Sequence, residues 1–179
     1  MPYDPVMTRP GRPIYAVLAV VSCAGLVIGG CAASRSPGSA QRQPPVAATP
    51  LASRAAAARY LAIAEAGNRR LEVDFDSLAG RDRGRLPAAE ADLRDAAATE
   101  HLFDRRLLAI TFPAGSEPVA RILYKVNQSR ASLTTAAAGS GSLRQLGSFE
   151  RRLTAANEQV EDAVRVLRSQ LGLPPPDTS

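Results

Sequence analysis

The chain has 179 residues, room for one domain with appendages, and its 45% hydrophobic content is ordinary for a globular protein. Only 4% is aromatic and Trp is absent, so much of the apolar content is alanine, which favours helix and buries little surface. The net charge of +5 rests almost wholly on arginine, Lys125 being the sole lysine, and it is dispersed among acids. That dispersal, with so few aromatics, argues against a nucleic-acid partner, whose bases need stacking platforms and a basic groove.

At the N-terminus, Arg9 and Arg12 precede an apolar stretch over 14–28. It is shorter than the roughly 20 residues of a transmembrane helix, and a basic segment followed by a short apolar one is the design of a secretory signal. Initiation at Met7 instead of Met1 would keep both arginines and shed Asp4.

The stretch ends in Leu26-Val27-Ile28-Gly29-Gly30-Cys31. This resembles the lipobox of bacterial lipoproteins, here of a high-GC Gram-positive type: an aliphatic residue, two small residues, then the cysteine that accepts diacylglycerol. The resemblance covers the first 31 residues and departs mildly at Ile28, where leucine is commoner. It implies lipidation of Cys31, cleavage between Gly30 and Cys31, and an anchor on the extracytoplasmic face of the cell membrane. Two alternatives stand beside it, a second lipobox ending at Cys23 and an uncleaved signal anchor. With Cys31 acylated and Cys23 removed, the mature chain has neither thiol nor disulfide, so its fold relies on its apolar core.

Residues 32–49 are rich in Ser, Pro, Gly and Gln without hydrophobic periodicity and read as a flexible tether, at most about 60 Å long when fully extended. Thr49 suits an N-cap and Pro50 a first turn, so the first helix is expected over 50–78, with a seam of Ala57, Leu61, Ala64, Leu71, Phe75 and Leu78. The second is expected over 87–111 on Ala89, Leu93, Ala96, Phe103, Leu107 and Ile110. A third, capped by Ser116, occupies 116–138 on Val119, Ile122, Leu123, Val126, Leu133 and Ala137. The fourth fills 142–172 on Leu146, Leu153, Val160, Val164, Leu167 and Leu171, and prolines close it before a disordered tail over 174–179. The expected fold is therefore all-α, an antiparallel up-down-up-down four-helix bundle over 50–173, with dimerisation of a longer helical hairpin as the structural alternative.

Each seam breaks near its middle at a polar residue: Asn68, Glu100, Arg130 and Asn157. Asn68 lies 12 residues before Gly80 and Glu100 lies 13 after Pro87, so a hairpin sets them at one height; counting about the glycine turn at 139–142 does the same for Arg130 and Asn157. Two readings follow, a polar layer that fixes helix register and a small binding site in the bundle core.

The loop Gly80-Arg81-Asp82-Arg83-Gly84-Arg85 offers Arg81, Arg83 and Arg85 to an anionic polymer or, more simply, to solvent. Glu65 with Arg69, Arg70 with Asp74, Glu90 with Arg94, and Glu161 with Arg165 are spaced for solvated ion pairs.

Catalysis has little support. His101 is the sole histidine, and neither a Glu-x-x-His pair nor a Gly-x-Ser-x-Gly elbow is present. The expectation is a non-catalytic lipoprotein without cofactor or metal, held to the membrane by the lipid on Cys31 and binding an envelope protein or cell-wall polymer. The alternative is a small-ligand carrier using the polar layer.

Overall fold

A computed structural model describes residues 50–176. Gly30, Cys31, the expected tether and the last three residues lie outside them. Four long helices and one short one make up the ordered elements, and no strand occurs among the described residues. None of these helices is long and apolar enough to cross a membrane.

The first helix, α1, spans Pro50–Ala79. Alanines carry it, and its buried stripe is Ala56, Ala57, Tyr60, Ala64 and Leu71. Tyr60 takes the core place expected for Leu61, which is half-buried. Small neighbours leave room for the ring, which is 0% exposed. At the turn, a Cβ on Gly80 would lie 2.9 Å from the Asp76 carbonyl oxygen, and Gly84 has φ 85°, a conformation open to glycine at little cost.

Helix α2 spans Leu86–Leu108, with Pro87 in its first turn and Arg105 and Arg106 in its last. It stops three residues short of the expected end at 111. Pro113 disfavours helical backbone at Phe112, and Ile110 instead packs into the core from the loop.

Helix α3 spans Glu117–Ala138. Ser116 occupies the N-cap position, but its hydroxyl donates back to the Pro113 carbonyl at 3.2 Å rather than capping the helix. The buried stripe runs through Ala120, Leu123, Asn127, Arg130, Thr134 and Ala137. This steps by three and four and leaves Ile122, expected in the seam, 54% exposed.

The expected fourth helix is two elements, α4 over Leu143–Gly147 and α5 over Glu150–Gln170. The break falls where Gly147 and Ser148 lower helix propensity. Ser142 caps α4 by accepting from the Gln145 amide at 3.2 Å. Gly172, at φ 69°, closes α5 while the Leu173 amide donates to the Arg168 carbonyl at 2.8 Å.

Helix α2 packs on α1 and α3, and α3 packs also on α5, contacts consistent with a bundle. The larger apolar cluster joins Tyr60 and Leu71 to Leu107, Leu123, Val164 and Leu167. A smaller one gathers Leu93, Ala137 and Ala138 with Phe75, Leu78, Leu146, Phe149 and Leu153 packed against them. On α3 the buried polar residues Asn127, Arg130 and Thr134 fall between the two clusters in sequence, whereas on α2 Glu100 and Asp104 fall among members of the larger one.

Candidate functional site

Three of the four seam-breaking residues come together. Glu100 on α2 and Arg130 on α3 are 1% and 4% exposed, and Arg130 Nε stands 3.1 Å from Glu100 Oε1 as an ion pair. Arg130 Nη1 donates to Asn157 Oδ1 of α5 at 3.5 Å, a long contact. The Thr134 hydroxyl lies 3.3 Å from Glu100 Oε2 and 3.1 Å from the Arg130 carbonyl, so two acceptors share its one proton.

The layer continues one turn along. Asn127 Nδ2 donates to Asp104 Oδ1 at 2.8 Å and approaches the Glu100 carbonyl at 3.4 Å. Thr134, Asp104 and Asn127 extend the layer beyond the four residues at which the seams break. Their signal was in the spacing: Asp104 is four residues after Glu100, while Asn127 and Thr134 stand three before and four after Arg130.

Asn68, the fourth member expected, is half-buried on α1, and both its amide atoms are buried without a hydrogen-bond partner. No hydrogen bond joins it to the charged pair.

Burial raises the Glu100 carboxyl above its ordinary range, opposed by the Arg130 charge and the Thr134 hydrogen bond. Burial also raises Asp104, against the Asn127 hydrogen bond and the charges of His101 and Arg130. Both acids are therefore easier to protonate than in water, the behaviour expected where desolvation outweighs pairing. His101 is half-buried beside them. Glu100 and Arg130 are thus turned toward each other and away from solvent.

The arginine loop is also internally engaged. Asp82 is buried and meets Arg81 Nε at 3.1 Å and Arg85 Nη1 at 3.3 Å, while Arg83 is exposed. Burial first, and then the like charge of Asp82, raise the Asp92 carboxyl above its ordinary range. On the helix faces, Arg94 pairs with Glu90 at 2.9 Å as spaced, but Arg165 takes Asp162 at 2.7 Å rather than the expected Glu161. No group of three metal-ligating side chains occurs among the described residues.

A groove of about 400 Å³ lies where α2 ends and α3 begins. Leu107, Leu108, Phe112 and Tyr124 line it, with Arg121 and Lys125 among the charged residues at its walls. Sequence periodicity had no means to find it, since the loop residue Phe112 forms part of its wall. In comparisons with known proteins, no family model, curated protein or solved structure matches the chain.

Proposed function

We propose that the chain is a lipid-anchored protein of the extracytoplasmic membrane face, in which acylated Cys31 and the 32–49 tether hold a non-catalytic, antiparallel up-down-up-down bundle that binds an envelope protein or cell-wall component. Asp104 meeting Asn127 while Glu100 meets Arg130 and Thr134 supports an antiparallel α2 and α3, because partner numbers fall on one helix as they rise on the other. The observation that carries a surface-binding role over a ligand carrier is the closure of the polar layer: Glu100 and Arg130 are buried and paired to each other. Binding is left to the surface, where Leu108 and Ile122 are exposed.

Cys31→Ser tests the anchor. Membrane fractionation should find the variant either released or retained as an uncleaved precursor. Normal cleavage with normal retention in membranes would overturn the assignment of Cys31.

A further inference from the structure

We infer that the end of the bundle where α1 begins is a docking face for an anionic phospholipid surface. The inference rests on the antiparallel, lipid-anchored reading above and names the surface this end meets. The start of α1, the end of α2, the start of α3 and the end of α5 share that end. Arg168 of α5 acts electrostatically on Tyr60 of α1, and one groove is lined by both Leu107 and Leu108 of α2 and Ala120 and Tyr124 of α3.

Charge is unevenly divided between the ends. Here Arg54, Arg59, Arg105, Arg106, Arg121 and Lys125 are all exposed. The acids at this end are Asp104, which is buried, Glu117, which pairs with Arg121, and on α5 the half-buried Glu161 and the exposed Asp162, which pairs with Arg165. At the opposite end the loop arginines stand among Asp74, Asp82, Asp92 and Asp95, and Asp82 already holds two of them, while Arg144, Arg151 and Arg152 are exposed there near Glu150. An anionic surface would therefore orient the bundle with α1 entering from the membrane side.

Apolar surface accompanies the cations. Leu108 is 58% exposed and lines the groove of about 400 Å³ together with Phe112, Tyr124, the basic Arg121 and Lys125, and the acidic Glu117 that pairs with Arg121. Apolar side chains ringed by Arg and Lys suit the headgroup boundary, where each basic residue strengthens binding about fivefold. Geometry favours lipid over a soluble acidic polymer. A flexible chain the length of residues 32–49 spans roughly 24 Å on average, so a lipid on Cys31 keeps this end, and not the loop at 80–85, close to headgroups.

The test uses the full acylated chain, whose Cys31 thiol is blocked, carrying an environment-sensitive fluorophore at Ala109→Cys near the groove or at Arg83→Cys on the far loop. Vesicles are of phosphatidylcholine alone or mixed with phosphatidylglycerol. The label at 109 should shift to the blue and be quenched by lipid-borne quenchers on the anionic vesicles, reversibly with salt, while the label at 83 stays unchanged. Arg106→Glu with Lys125→Glu should abolish the response at 109 while helical circular dichroism is retained. Equal responses at 109 and 83, or a response at 109 indifferent to lipid charge and salt, would overturn the docking face. Flotation separates the two readings. A chain that fails to float with neutral vesicles refutes the anchor, and salt-sensitive flotation with anionic vesicles alone still supports docking. Failure to float with either refutes both.

Discussion

Between α2 and α3, Glu100 meets Arg130 and Thr134, and Asp104 meets Asn127, all from buried positions. Where α1 faces α2, the buried contributors are alanines with Tyr60 and Leu71, and nearby Asp74 feels the like charges of Asp92 and Asp95. A slip of one turn between α2 and α3 would leave a buried charge facing hydrocarbon. The same slip along α1 moves no buried ion pair, though it sets an alanine in the place of Tyr60. Polar contacts thus select a register at a cost in desolvation, whereas small apolar contacts supply area with weaker selection. A polar α2–α3 contact, proposed to select register, stands beside an α1–α2 contact that is mainly apolar.

The largest expected effect breaks the first of these. Arg130→Met leaves Glu100 buried and unpaired and should cost about 3–5 kcal/mol in urea denaturation. Glu100→Leu should be similarly damaging because it strands the guanidinium. The double variant should recover to near the wild type in stability, yet with broader amide resonances if the pair is what holds the register. A Glu100→Leu protein that is unchanged or stabilised and still uniquely folded would remove the register role.

The helices and the central layer were legible for the same reason, since both are departures from or conformity to one periodicity. Leu93, Leu107, Leu123, Val160 and Leu167 fall on their expected stripes, and the breaks at Glu100 and Arg130 mark a buried pair. What escaped depends on tertiary company. Tyr60 enters the core because its neighbours are alanines, and Ile122 leaves it because its helix turns Leu123 inward. The helix break at Gly147 was readable as low propensity but was outweighed by the periodicity of Leu146 and Leu153 on either side. Asn68 is expected in the same layer from spacing, but no hydrogen bond joins it there, since whether an amide finds a partner depends on side-chain reach, which spacing does not encode.

A smaller effect sharpens the comparison from the α1 side. Both side-chain amide atoms of Asn68 are buried without partners, so this residue adds desolvation cost and no compensating bond. Asn68→Leu should therefore stabilise the protein by about 1–2 kcal/mol, read as a higher urea midpoint with an unchanged slope. Destabilisation would mean that the amide takes part in the polar layer and that α1 shares in fixing register.

The smallest effect is a pH dependence on the same face. Desolvation first, then the charges of Asp95 and Asp92, raise the Asp74 carboxyl from 3.8 to about 6, with Arg70 opposing. The folded state therefore binds this proton more tightly than the unfolded chain does. Linkage makes the contribution of Asp74 most favourable below pH 3.8 and erodes it as pH rises toward about 6, above which the loss is complete. Asp74→Asn removes the titration. It should raise the melting temperature relative to the wild type at pH 7 and narrow that advantage steadily toward pH 3.5. Relief of this repulsion removes no buried apolar contact of α1 and should leave its register unchanged, visible as unaltered chemical shifts at Tyr60 and Leu71. A variant whose advantage over the wild type is the same at both pH values would show that Asp74 titrates as it does in the unfolded chain, and that the carboxylates between α1 and α2 impose no strain.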